Sequence, residues 1–176
     1  MKTIKYFTTL FTFLLVFAAT AQTTKDEKII KDAEKAKMTL LKTDEGLKNF
    51  FDNSAGYVLF PNVGKGGFIV GASSGNGVVY ENGKKVGMAD LKKLNIGLQA
   101  GGQSIIEVIF FENEADLNEF KEGNFNFAAE ASAVAVKSGL AFNAKYKDGV
   151  AVFALPKAGL MADASVGGQK FSYHSF

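Results

Sequence analysis

The chain has 176 residues, with 20 basic and 18 acidic side chains and no cysteine. This length fits one domain with a substantial buried core. The absence of cysteine excludes a disulfide scaffold, a thiol nucleophile and a zinc site built on thiolates. Every basic residue is a lysine, which excludes bidentate guanidinium contacts to phosphate. Because the charge is nearly balanced, we expect no nucleic-acid partner.

The first 21 residues have the pattern of a signal peptide. Lys2 and Lys5 precede an apolar stretch, and Ala19-Thr20-Ala21 places small residues where a signal peptidase cuts. The apolar stretch is short and rich in threonine for a membrane-spanning helix, although a retained anchor is the alternative. We therefore expect residues 1–21 to be removed and the chain to be periplasmic or secreted, with a single domain over residues 22–176.

Residues 22–52 are expected to form the helical N-terminal part of this domain. From Lys25 to Lys42 the apolar residues recur with the 3.6-residue period of an amphipathic helix. Thr43 is expected to cap a second, shorter helix. A stripe of four lysines runs opposite the apolar face, and an ordinary solvated face is the alternative to a binding site there. This stripe is the best candidate site and consists of Lys28, Lys31, Lys35 and Lys42.

Residues 53–176 are expected to be rich in β-structure. Asn82-Gly83 predicts a tight hairpin, and the run Ile105–Phe111, apolar with one exception, should be buried on both faces of a sheet. One helix is expected to interrupt the strands, capped by Asn113 and ended by Gly123. The predicted fold class is α+β: a mostly antiparallel curved sheet or barrel-like β domain with N-terminal helices and one inserted helix.

Short apolar runs between turn residues predict several further strands in this part of the chain. They lie between glycines or polar residues that favour turns. The predicted strands include residues 67–72, 125–136, 140–146, 150–155, 159–166 and 170–174.

The sequence offers little that could catalyse a reaction. His174 is the single histidine and lies near the C-terminus, so a Ser-His-Asp site or a histidine metal site lacks its usual setting. No phosphate-binding loop of the form Gly-x-x-x-x-Gly-Lys-Ser/Thr occurs. We therefore predict no catalytic residues, no metal and no cofactor, and a protein that acts by binding.

Several motifs of the strand region resemble the SYLF domain family, and the resemblance covers roughly residues 30–174. It implies a lipid-binding module without enzymatic activity. Eukaryotic relatives bind phosphoinositides through an N-terminal amphipathic helix and basic surface residues, so the resemblance assigns lipid binding to the four lysines of the stripe. The motifs are Ser54–Pro61, Gly66–Gly71, Gly75–Val78, Asn95–Ser104 and Gly159–Ala162.

The expected partner is an anionic phospholipid at a membrane surface or another amphiphile of the cell envelope. The actin activity of the yeast relatives is not carried over, because a signal peptide would place this chain where actin is absent. The alternatives are a small outer-membrane barrel, a hydrolase with an unrecognised site and a structural envelope protein. The sequence predicts no particular oligomeric state.

Overall fold

The structure is a computed structural model that describes residues 24–67, 70–123 and 134–176. The expected signal peptide, the expected new N-terminus at Gln22 and most of the strand predicted at residues 125–136 lie outside the described residues. Within them the fold is α+β with a mostly antiparallel, curved sheet, so the predicted fold class is confirmed.

Two helices precede the sheet, and a third lies between its strands. Helix α1 covers residues 24–43 and α2 covers Leu47–Asn53. The elements that follow are β1 (Gly56–Gly67), β2 (Val70–Glu81), β3 (Lys84–Phe111), α3 (Glu114–Lys121), β4 (Val134–Ala135), a 3₁₀ helix (Ala141–Asn143) and β5 (Val150–Ser175).

The long strand β3 organises the sheet. Its first half pairs with β2 and its second half with β1, while β1 and β2 also pair with each other as a hairpin. On its other edge β3 pairs with β5, from Gly87 opposite Ser175 to Phe111 opposite Val150. These pairings are antiparallel, and β4 adds a short parallel pairing to β5. Because β3 pairs with both strands of the β1–β2 hairpin, it must bend around the hairpin, and this bend curves the sheet.

Both faces of the sheet are buried at its centre, as the apolar run in β3 predicted. Ile106, Val108 and Phe110 belong to a core shared with α1 and α2. Ile105, Ile109 and Phe111 belong to a second core, which α3 covers with Leu117 and Phe120. The alternation of side chains along a strand thus divides one apolar run between two cores.

The predicted local signals around the hairpin and α3 are confirmed. Asn82 and Gly83 have φ values of 50° and 75° and connect β2 to β3, as a two-residue hairpin turn requires. The side chain of Asn113 accepts a hydrogen bond from the backbone of Asp116 at 3.1 Å, and Gly123 follows the helix with a φ of 74°.

Two strand predictions near the C-terminus are wrong in detail. Residues 140–146 contain a 3₁₀ helix instead of a strand, because Gly139 turns the chain at a φ of 81° and Ala141, not its apolar neighbours, is buried. The three strands predicted at residues 150–155, 159–166 and 170–174 are parts of one continuous strand, β5. Pairing with β3 along this whole length overrides the glycines that suggested breaks.

Two predictions in the first half of the chain also need correction. In the strand predicted at residues 67–72, Gly67 ends β1 and residues 70–72 begin β2, while residues 68 and 69 lie outside the described residues. Thr43 does not cap α2: α1 extends through this residue, whose hydroxyl donates to the Thr39 carbonyl at 2.8 Å. The N-cap position of α2 is Gly46, and the nearby carboxylate of Asp44 accepts the Gly46 N–H at 3.0 Å.

Glu107 is the exception in the apolar run, and it lies in the interior with 2% of its surface exposed. Its Oε1 accepts a hydrogen bond from Gln169 Nε2 at 3.2 Å. Burial raises the pKa of Glu107 above its usual 4.5, although the charges of Lys65 and Lys93 oppose the shift. The folded state therefore favours the protonated carboxyl group. As the pH rises and this group ionises, the folded state loses stability relative to the unfolded state.

Glu107→Gln is expected to gain stability relative to the unmodified chain as the pH rises. Glutamine does not ionise, so the difference should be small near pH 4, grow above about pH 4.5, and level off above the raised pKa of Glu107. Urea denaturation between pH 4 and 9 measures it, with Glu119→Gln, an exposed position on α3, as control. A difference that stays constant over this range would contradict the assignment.

Candidate functional site

The four lysines of the predicted stripe lie on the exposed side of α1. Lys28, Lys31, Lys35 and Lys42 are all exposed, while the opposite side of the helix packs on the sheet through Ala33, Ala36 and Leu40. The 3.6-residue period therefore located both sides of the helix correctly. The helical period does not predict which residues of the sheet lie along the flanks of α1.

A groove lies along one flank of α1, between the helix and the sheet, with a volume of about 380 Å³. We call it the helix groove. Its polar residues come from α1, β1 and β5, and its apolar floor comes from α1 and β3. The lining residues are Lys28, Asp32, Lys35, Ala36, Thr39, Asn62, Ile106 and Lys157.

Lys157 is the residue of the groove that no pattern in the sequence predicted. It enters from β5, where its Nζ donates to Asn62 Oδ1 at 2.6 Å and lies 3.4 Å from the Pro61 carbonyl oxygen. The hydrogen bond to Asn62 holds the Lys157 ammonium group against β1, opposite the lysines of α1. No periodicity could have linked Lys157 to α1, because only the pairing of β5 with β3 brings it there.

Asp32 lies among the lysines of the groove. Lys28 Nζ donates to its carboxylate at 3.0 Å. This hydrogen bond and the charges of Lys28, Lys35 and Lys157 lower the pKa of Asp32. Three cations therefore surround one anion, which leaves a local excess of positive charge. Since ammonium groups are compact donors that suit phosphate oxygens, the groove can accept a second, external anion.

The structure brings together only part of the predicted stripe. Lys28 and Lys35 line the helix groove with Lys157, whereas Lys31 and Lys42 do not line it. Lys31 and Lys42 remain on the exposed surface of the same helix. The predicted site therefore divides into a formed groove and two lysines on the open helix surface.

A second basic depression lies on the sheet, with a volume of about 760 Å³. Lys92 on β3 and Lys170 on β5 are directly paired across the strands there, and Ser74 of β2 is the next neighbour of Lys92. Two like charges in such a pair repel each other, so an anion between them would relieve the repulsion. The lining residues are Ala72, Ser73, Ser74, Asp90, Lys92, Lys93, Lys170, Phe171 and Ser172.

His174 lies in β5, with its Nε2 3.5 Å from Asp90 Oδ2 and 67% of its side chain exposed. In residues 24–67, 70–123 and 134–176, no three side chains of the types that bind metals converge on one position. Within the same ranges, no helix has both the length and the apolar character needed to cross a bilayer.

Helices packed on a curved antiparallel sheet, with a basic groove at their junction, form the framework of this domain. Residues 92–175 match the sequence family described as Ysc84, Las17-binding protein actin regulator, which is the SYLF domain family. This match confirms, over these residues, the resemblance to the family that was drawn from the motifs. The matched segment contains Lys157 and the strand that carries it, whereas α1 precedes it.

A relative in Aeromonas veronii is the protein named beta cell expansion factor A. It is 30% identical to this chain over 142 residues, which are 79% of this chain and 53% of the relative. The chain thus spans about half the length of this curated relative.

Proposed function

We propose that this chain is an exported lipid-binding domain that docks on anionic phospholipid, or on another anionic amphiphile of the envelope, and catalyses no reaction. The observation that carries the proposal is the helix groove, where Lys28, Lys35 and Lys157 surround the single carboxylate of Asp32. Ala36 and Ile106 also line the groove, but both are almost fully buried, so the proposal depends on the lysine charges and not on apolar contact.

The charges of the groove lysines give an expected contribution to the affinity for an anionic membrane. A lysine near an anionic membrane surface contributes about 1 kcal/mol, and salt weakens this attraction. Three groove lysines would therefore contribute about 3 kcal/mol, which corresponds to roughly a 100-fold change in affinity. Lys31 and Lys42, exposed on the same helix, would add to the attraction without forming the groove.

The comparisons support a binding or regulatory domain of the SYLF family. The family description names an actin regulator that binds Las17, and the Aeromonas relative is named for the expansion of beta cells. We do not transfer either activity, because the signal-peptide pattern of residues 1–21 favours export to the periplasm or the medium. We expect an exported domain to meet anionic lipid headgroups at the surface of the cell envelope.

The test is co-sedimentation of the purified protein with neutral and anionic phospholipid vesicles at low and high salt. We expect binding that is selective for anionic vesicles and weakened by salt. The triple variant Lys28→Gln/Lys35→Gln/Lys157→Gln should lose roughly 100-fold in affinity, and Asp32→Asn should bind more tightly because it removes the competing carboxylate. Lys48→Gln/Lys84→Gln/Lys85→Gln makes the same change of charge at exposed positions away from the groove and is the matched control.

Two results would contradict the proposal. Equal losses in the triple variant and its control would mean that only the total charge matters, not the groove. Binding that does not depend on vesicle charge or salt would exclude headgroup docking.

Export is tested separately. The protein should be recovered from the exported fraction, and an intact mass inconsistent with cleavage after Ala21 would contradict the proposed processing.

A further inference from the structure

The 3₁₀ helix at Ala141–Asn143 displays two large apolar side chains to solvent. Leu140 is 45% exposed and Phe142 is 72% exposed. In the part of the chain that the structure describes, Met38 and Phe176 are the other large apolar residues with comparable exposure. Two of these four therefore lie two positions apart on a single turn, which concentrates apolar surface at one place.

This turn is held in place and is not a loose loop. Ala141, between the two exposed residues, is buried with 3% exposure, and its N–H donates to Asp44 Oδ2 at 2.8 Å. Asp44 also accepts the N–H of Gly46. The backbone packs so closely that a Cβ atom on Gly46 would lie 2.7 Å from the nitrogen of Phe142. The buried Ala141 thus directs its two neighbours outward from a fixed position.

The charges of residues 137–148, the segment that contains the turn, favour a negatively charged surface, and Glu45, exposed beside the Gly46 that packs against Phe142, opposes them. Lys137, Lys145 and Lys147 flank it and are exposed, and Asp148 is the single acidic residue between residues 137 and 148. Bulky apolar side chains between lysines are typical of segments that enter the interface of an anionic bilayer, where the lysines stay at the headgroups. A pair of side chains on one turn is also small compared with the contact area of a stable protein–protein interface.

We propose that Leu140 and Phe142 insert into the interfacial region of an anionic bilayer and anchor the domain there. The inference rests on the proposed lipid-docking function and adds a second point of contact to it. The helix groove engages headgroups through charge, whereas this apolar tip engages the region just beneath them. The flanking lysines set the depth, since their ammonium groups remain with the headgroups.

The chain contains no tryptophan, so Phe142→Trp introduces a single tryptophan as a reporter at the tip. With anionic phospholipid vesicles its emission should shift to the blue, and lipids brominated on the upper acyl chain should quench it. Phe176→Trp is the matched control, because Phe176 is 65% exposed but lies outside the turn. Its emission should stay unchanged. Leu140→Ser/Phe142→Ser, which keeps every lysine, should bind about tenfold or more weakly.

The outcomes separate this inference from the proposed function. If the tryptophan at position 142 stays water-exposed while the protein sediments with the vesicles, the insertion is wrong and headgroup docking stands. If the unmodified protein binds no vesicle, both proposals are overturned. A blue shift without vesicles that grows with protein concentration would show a second copy of the chain on the tip and would also overturn the insertion.

Discussion

Phe110→Ala is expected to lower the free energy of unfolding by about 3–5 kcal/mol. Phe110 is fully buried in β3, and its ring lies 4.8 Å from that of Phe51 and 5.4 Å from that of Phe50, both in α2. It also lies 5.7 Å from the ring of Tyr57 and 5.9 Å from that of Phe153. One side chain thus joins α2, β1 and β5, and its removal leaves a cavity that these elements cannot all close.

Urea denaturation followed by circular dichroism measures the loss of stability. Phe142→Ala removes the same side chain from an exposed position, so it should change the free energy of unfolding by less than about 0.5 kcal/mol. If Phe110→Ala unfolds the chain, Phe110→Leu offers a smaller loss that can still be measured. A loss as small as that of Phe142→Ala would mean that the packing of α2 on the sheet does not depend on this ring.

Asp44→Ala is expected to destabilise the chain by roughly 2–6 kcal/mol. Asp44 is 2% exposed, and its two carboxylate oxygens accept the N–H groups of Gly46 and Ala141 at 3.0 and 2.8 Å. Alanine would leave both donors buried without a partner, and each unpaired buried donor costs about 1–3 kcal/mol. Asp44 joins the α1–α2 junction to a turn 97 residues away in sequence, so its loss should loosen both segments.

Hydrogen exchange at the Gly46 and Ala141 amides checks this contact locally, beside urea denaturation for the whole domain. Faster exchange at both amides is expected in Asp44→Ala. Asp44→Asn keeps one acceptor oxygen and should have an intermediate stability. Glu45→Ala, at the exposed neighbouring position, should leave exchange and stability nearly unchanged. Unaltered exchange at Ala141 in Asp44→Ala would show that other contacts hold the 3₁₀ helix.

The features of this protein that depend on local pattern could be predicted from its amino-acid sequence. The amphipathic period located α1 and separated its lysine stripe from its buried side, because neighbouring turns of a helix repeat about every 3.6 residues. Asn82-Gly83 and Asn113 gave a turn and a helix cap, because each acts on a backbone only a few residues away. The motifs predicted the resemblance to the SYLF domain family, which the match over residues 92–175 confirms.

Which distant residues share a site depends on three-dimensional packing. Lys157 joins Lys28 and Lys35 in the helix groove because β5 follows the bend of β3, and no local pattern encodes that pairing. For the same reason the predicted strand at residues 140–146 failed. The buried carboxylate of Asp44, far away in sequence, holds Ala141 in a 3₁₀ helix and leaves Leu140 and Phe142 exposed. Such contacts depend on how the chain packs in three dimensions, so one-dimensional periodicity does not reveal them.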